Sequence, residues 1–405
     1  MIDFELDEAL QTFQDFVHGF ALAELRPRAR EADERGEVDP DVIRRLGAFA
    51  GGQAKFLPEE RPDGQDRGEA PWSREHMLSV IGGEELAWGD AAMILNIPGP
   101  GVAGTVIAAS GTPAQRERFL DDVFTGDEPR FGAIAVTEAQ GGSDVSSVAT
   151  TAVAEGDEWI LNGTKIFCTN GARADVLVVN ATIDPSLGRD GQRLFVVRKG
   201  APGIRVGKIE KKLGLVASET AEIVFEDCRI PDDHLLGGPQ GGEDPTSKSG
   251  FKDTMKAFDA SRPSVAAMAV GIGRAAYEYV RDWSRTEISS QSRRRPFVEV
   301  KLATMERELE AARLLCRMAA WKADAGMPGS KEASMAKAYA PGAALRACVG
   351  AIEIMGPEGY SREHLVEKWY RDIKVYDIFE GTGQIQRVII SRHILGRLDP
   401  VRSAS

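Results

Sequence analysis

Glu380 follows an apolar pair, Ile378-Phe379, and precedes Gly381-Thr382-Gly383. A carboxylate in apolar surroundings has its pKa raised towards neutrality, which suits a general base. Gly381 would let a ligand approach the backbone closely. A plain loop carries the same residues, so the segment alone leaves both readings open. Three other segments could serve a polar ligand. Ala135 to Ser147 reads as a strand, through Val136 and Thr137, that runs into a Gly141-Gly142-Ser143-Asp144 turn. Such a turn presents backbone N–H groups and hydroxyls, although Thr, Ser and Asp also close turns that bind nothing. Trp159 to Gly171 contains Asn162-Gly163, a hairpin signal. On the returning strand Phe167 and Thr169 would share one face, since side chains alternate. A ring beside a hydroxyl can flank a flat heterocycle or join a core. Asp259 and Arg262, three apart at an expected helix start, could hold a ligand or form a cap and an ion pair.

The elements that position these segments fall into three textures. Phe4, Leu6, Leu10, Phe13, Val17, Phe20 and Leu25 recur at helical spacing. Asp39-Pro40 and Thr112-Pro113 predict helix starts, and the segment from Pro58 to Arg74 predicts a surface loop. A helix is expected from Glu75, continuing through Pro98 to Gly101. Short β-rich runs follow at Ala133–Val136, Trp159–Leu161, Val176–Val179, Leu194–Val197 and Glu222–Phe225, divided by turns such as Glu155-Gly156-Asp157 and Asp190-Gly191. Their spacing predicts a small antiparallel barrel or sandwich. After a Gly- and Pro-rich loop, Gly237 to Gly250, long helices return. Leu302, Met305, Leu309, Ala312, Leu315 and Ala319 mark one helical face. Ser330 is the expected cap of the next helix, Pro341 its expected kink, and Ile385 to Leu395 the last helix. The expected fold is α+β and multidomain. An all-α N-terminal domain (1–130) precedes a central antiparallel β-barrel-like domain (131–240) and a C-terminal four-helix bundle (241–405).

Composition narrows the function classes. The chain has 405 residues, 42% hydrophobic and 28% charged, with a formal net charge of −12. An acidic surface disfavours phosphate backbones, so nucleic acid is not an expected partner. No apolar run approaches a bilayer span, so no membrane is expected. The acidic N-terminus has neither a signal-peptide nor a transit-peptide pattern, which predicts a cytoplasmic protein. Cys168, Cys228, Cys316 and Cys348 are scattered, as are the five histidines, so no metal site is expected.

Taken together, four stretches resemble the acyl-CoA dehydrogenase family over essentially the whole chain. They are Val136-Thr137-Glu138 with Gly141-Gly142-Ser143-Asp144; Leu161-Asn162-Gly163-Thr164-Lys165 with Thr169-Asn170-Gly171; Lys212-Leu213-Gly214 with Phe225 to Pro231; and Arg371-Asp372 through Glu380-Gly381-Thr382 to Gln384-Ile385-Gln386-Arg387. The resemblance implies FAD as cofactor and α,β-dehydrogenation of an acyl thioester to the trans-2-enoyl thioester. Glu380 would be the base, and the β-hydrogen would pass as hydride to flavin N5. Val136, Thr137, Phe167 and Thr169 would contact the flavin, with Phe167 standing where tryptophan is usual. Ser143 would lie by the ribityl chain or the substrate, and Thr382 and Gln384 would contact the cofactor. Arg285, from a neighbouring subunit, would meet the FAD pyrophosphate, together with Glu353 and the Gly356 to Gly359 segment. The family's Arg-x-x-Phe-Gly reads Arg285-Thr286-Glu287-Ile288-Ser289 here, its Gly-Gly-x-Gly reads Gly356-Pro357-Glu358-Gly359, and Glu353 replaces a common glutamine. Asp259 and Arg262 would hold the pantetheine arm, and Phe379 and Gly381 would adjoin the acyl group. Some subfamilies place the base where this chain has Ser261. The resemblance also implies a homotetramer, a dimer of dimers, that passes electrons to an electron-transfer flavoprotein. Alternatives on the same fold are an acyl- or aminoacyl-carrier-protein dehydrogenase or oxidase, a monooxygenase, and a non-catalytic subunit.

Overall fold

The computed structural model describes residues 5–52, 74–126, 128–238 and 250–396, with the side chains of 250–260 outside the description. The expectations for Phe4, the loop from Pro58 up to Ser73, the interior of the loop from Gly237 to Gly250 and the Asp259 side chain lie outside the described residues.

The N-terminal helices form where the apolar spacing puts them. They are α1 (Glu8–Phe20), α2 (Ala29–Arg35), α3 (Pro40–Gly52), α4 (Glu75–Ile94), α5 (Gly101–Ser110) and α6 (Pro113–Arg116). Asp7 accepts from the Leu10 N–H at 3.0 Å and starts α1, whose Phe13 and Val17 are fully buried. Asp39 accepts from the Asp41 N–H at 2.8 Å, with Pro40 opening α3. Thr112 and Gln115 form a reciprocal capping box around α6. The expected continuation of α4 through Pro98 to Gly101 does not occur. Asp90 already leaves helical geometry (φ −161°, ψ 119°), because its carboxylate instead accepts from the Ala92 and Met93 N–H groups. Gly99 then pairs with the segment Arg130–Gly132 before α5 begins.

The central domain is a curled, mixed sheet of β1 (Gly132–Ala135), β2 (Thr151–Glu155), β3 (Glu158–Thr169), β4 (Val176–Thr182), β5 (Gln192–Arg198), β6 (Ile204–Ile209) and β7 (Thr220–Pro231). Its order is β1-β4-β2-β3-β7-β6, with β5 on the other edge of β4. Two sequence-based expectations are corrected. The sheet is not wholly antiparallel: β1 pairs parallel to β4, because the chain crosses through β2 and β3 before returning. Asn162-Gly163 is not a turn; it lies inside β3, and the hairpin turn is Gly156-Asp157. Gly163 is required there because a Cβ would stand 2.5 Å from Thr150 Oγ1. β2 and β6 were not expected. β6 is almost wholly exposed, so its sequence shows no alternating apolar face.

The C-terminal helices are α7 (Gly250–Glu287), α8 (Arg295–Asp324), α9 (Ser330–Met355), α10 (Val366–Ile373) and α11 (Gly383–Leu395). Met305, Leu309, Ala312 and Ala319 of α8 are buried as their spacing predicts. Asp259 and Arg262 lie well inside α7 rather than at its start, so they do not cap it. Gly329 rather than Ser330 caps α9, which runs through Pro341 without a break. Helix α9 packs on α7, α8 and α11, and α4 lies along α7. Buried charge networks join these helices. Glu84 of α4 meets Arg274 of α7 and Arg313 of α8, each at 2.9 Å. Lys368 of α10 lies between Asp90 (2.6 Å) and Asp372 (2.5 Å), all three fully buried. Asp372 also accepts from the Leu215 N–H at 2.6 Å, which ties the sheet domain to α10. Removing one partner of such a group would strand a buried charge.

Candidate active site

Glu380 lies on the connection between α10 and α11. Its backbone is left-handed (φ 55°), as is that of Gly381 (φ 87°). A glutamate held there stores strain of about 1–3 kcal/mol, a common mark of functional turns. Several buried donors hold the turn. Lys337 Nζ, from α9, donates to the Tyr376 carbonyl at 2.7 Å and the Gly381 carbonyl at 3.1 Å. Gln386 Nε2 donates to the Gly381 carbonyl at 3.2 Å and the Glu380 carbonyl at 3.4 Å. The φ of 87° at residue 381 favours glycine, and a Cβ there would also press on Gln386 Nε2 at 2.5 Å.

The carboxylate itself accepts from Ser261 Oγ at 2.9 Å. Burial pushes the Glu380 carboxyl above its ordinary range, although part of its surface stays open. The Ser261 hydroxyl and the charges of Lys337 and Arg262 pull it back down. Burial likewise lowers Lys337 to about 8, against the charges of Glu380 and Asp377. The group is therefore a carboxylate poised by a hydroxyl and two buried cations, as a general base needs.

On the sheet domain, Val136 is buried at the end of β1 and Thr137 follows it, half-buried. The Thr137 carbonyl accepts from the Ile166 N–H at 2.9 Å, which joins the first two motif segments. Glu138 turns inward. It meets Lys165 Nζ at 2.7 Å and accepts from the Ala149 and Thr150 N–H groups, so it pins the Gly141-Gly142-Ser143-Asp144 loop. Ser143 is exposed on that loop, and Asp144 closes it by accepting from the Ser146 N–H and Ser147 Oγ. A bulge between Lys165 and Cys168 interrupts the alternation expected to align Phe167 with Thr169. Phe167 takes φ 56° at this bulge, and its ring stays 57% exposed. An unpacked ring on a segment that bonds to the Thr137 carbonyl and leads to Thr169 is a surface suited to a flat heterocycle.

The remaining expected residues are dispersed within this chain. Thr382 Oγ1 accepts from the Ile385 N–H at 3.3 Å and caps α11; Gln384 is exposed beside it. Phe379 packs edge-on against Tyr376, with ring centroids 4.9 Å apart. Arg262 is buried near Glu380. Arg285 is exposed and paired with Asp282, Glu353 pairs with Lys301, and Gly356 ends α9. Within one chain these three are not joined to Glu380 by any hydrogen bond or ion pair among the described residues. Sequence reasoning missed Lys337, Gln386 and the Glu138–Lys165 pair. The signal for Lys337 was a lone charge inside the alanine-rich face Ala333, Ala336, Ala340.

Family models match three consecutive parts of the chain: the acyl-CoA dehydrogenase N-terminal domain at residues 7–127, middle domain at 133–228 and C-terminal domain at 248–395. The chain belongs to the acyl-CoA dehydrogenase family. It is accordingly an FAD-dependent oxidoreductase that dehydrogenates acyl-CoA. It is 35% identical to the mitochondrial short-chain specific acyl-CoA dehydrogenase of Bos taurus, over 96% of this chain and 91% of that one. The butyryl-CoA dehydrogenase structure from Megasphaera elsdenii superposes with a TM-score of 0.84 at 32% identity, covering 97% of this chain and 100% of that one. A chain from the work on the electron transferring flavoprotein of Acidaminococcus fermentans gives 0.85 at 34% identity, covering 98% and 100%.

Proposed function

We propose that this acyl-CoA dehydrogenase acts on short acyl-CoA substrates with Glu380 as the catalytic base. The observation that supports the base is the Glu380 turn: a strained carboxylate, hydrogen-bonded to Ser261 and near buried Lys337 and Arg262. Glu380 in its ionised form takes the α-proton of the thioester. Bound FAD supplies the acceptor for the β-hydrogen, and Val136, Thr137, Phe167, Thr169, Thr382 and Gln384 would hold it. As the α-proton leaves, charge grows on the thioester oxygen and needs a fixed donor. The Glu380 N–H would supply one; among the described residues no acceptor takes it. Arg262 and Asp259 would hold the pantetheine arm, Phe379 and Gly381 would adjoin the acyl chain, and Ser143 would reach either ligand.

The short-chain preference rests on the relatives named for short-chain and butyryl substrates. The division at 1–130, 131–240 and 241–405, with a barrel-like middle and a bundle at the end, belongs to the same reading. So does assembly as a homotetramer, in which Arg285, Glu353 and Gly356 would meet FAD across subunits. An electron-transfer flavoprotein is the proposed acceptor, supported by the Acidaminococcus fermentans likeness. Anaerobic titration of the flavin band with acyl-CoAs of increasing length tests the substrate. Bleaching by butyryl-CoA supports the reading. A yellow protein that no acyl-CoA bleaches points instead to a carrier-bound substrate.

A further inference from the structure

Three lysines are fully buried in the described residues: Lys165, Lys337 and Lys368. Burying an ammonium is costly unless it is paired. Lys165 meets Glu138 at 2.7 Å, and Lys368 meets Asp90 and Asp372 at 2.6 and 2.5 Å. Lys337 differs. Its hydrogen-bond partners are two main-chain carbonyls, at Tyr376 and Gly381, and it forms no ion pair within 4 Å among the described residues. Nothing in the packing of α9 calls for a charge at this position. The surrounding face is Ala333, Ala336, Ala340 and Ala343, all buried and apolar. What the ammonium reaches is the loop that carries Glu380. Its two acceptors, Tyr376 and Gly381, bracket Glu380, and the left-handed backbones of this loop are those of Glu380 and Gly381.

We propose that Lys337 is a positioning residue for the dehydrogenation: by gripping the Tyr376 and Gly381 carbonyls from α9, its ammonium holds the Glu380 turn in its strained form and keeps a positive charge beneath the carboxylate. The inference rests on Glu380 being the base. Gln386 grips the same turn from α11, but a neutral amide cannot supply the charge. Arg262 from α7 and Asp377 from the loop are the other charged groups that act on Lys337, and they act in opposite directions. Lys337 needs no contact with substrate to act in this way. It sets where the carboxylate stands and favours its ionised state.

The test uses FAD-loaded holoprotein of wild type, Lys337→Met, Lys337→Gln and Glu380→Gln. Flavin reduction by butyryl-CoA is followed anaerobically against pH. Hydrogen–deuterium exchange of the segment 374–387 is measured without substrate. Lys337→Met should keep the flavin spectrum and the thermal transition, yet reduce flavin at least tenfold more slowly. Its rising limb should move to higher pH, and the segment should exchange faster. Lys337→Gln, which retains a donor but no charge, should recover slow exchange more fully than it recovers the pH profile. Wild-type rate, pH profile and exchange in Lys337→Met would overturn the proposal. So would loss of flavin and folding in both variants, because Lys337 would then serve the fold as a whole. Glu380→Gln separates this failure from that of the base: if it still reduces flavin, the base assignment falls and this proposal with it. If Glu380→Gln is inactive while Lys337→Met behaves as wild type, only the positioning role falls.

Discussion

Replacing Ser261 by alanine isolates one force on the base. Ser261 Oγ lies 2.9 Å from Glu380 Oε2 and donates to the ionised carboxylate. A hydrogen bond to a charged group contributes about 1.5–3 kcal/mol, and the partly open setting favours the lower end. Each ~1.4 kcal/mol is a factor of ten in the ionisation equilibrium. Burial already pushes Glu380 upward, and Ser261 is the first of the groups that oppose it. Ser261→Ala should therefore raise the Glu380 pKa further. Proton abstraction needs the ionised form, so the rate rises with pH through that pKa. The variant should fall roughly tenfold below wild type on the acid side of the profile, and the gap should narrow as pH climbs. Stopped-flow flavin reduction over a pH series measures this directly. A rising limb that stays in place, or moves to lower pH, refutes the role given to Ser261.

Other consequences follow for stability. Lys165→Met strands the Glu138 carboxylate, which is 4% exposed, and should cost about 3 kcal/mol in denaturant unfolding. Adding Glu138→Gln to it should restore part of that loss; a single variant as stable as wild type would contradict the pinning role. His76 donates to Asp324, and this hydrogen bond raises its pKa above the ordinary 6.5. A raised histidine stabilises the fold fully below its unfolded pKa and loses that contribution as pH rises through its folded value. Wild type should therefore exceed His76→Gln in thermal stability most clearly below pH ~6.5, and the difference should fade in alkali. An advantage that grows with pH would count against the pairing.

How much of this was legible in the sequence depended on whether the signal was local. Phe13, Val17, Met305 and Leu309 mark helix faces through spacing alone, and all are buried. Caps such as Asp39 and Thr112 work within a few residues, so they were readable too. Asn162-Gly163 misled, because the dipeptide usually marks a turn, whereas here a distant residue, Thr150, excludes a side chain at 163. β6 was hidden because it buries almost nothing. The start of α7 was misplaced, since Asp259 and Arg262 were expected at a helix start but lie inside one. At the site, Glu380 could be singled out from its apolar and glycine neighbours. Lys337 could not, because its purpose appears only when α9 is packed against a loop some forty residues further along the chain.

The decisive experiment compares wild type with Glu380→Gln during anaerobic titration with butyryl-CoA. Both should bind FAD, and only the wild-type flavin should bleach. A Glu380→Gln protein that bleaches at the wild-type rate would show that another residue takes the α-proton.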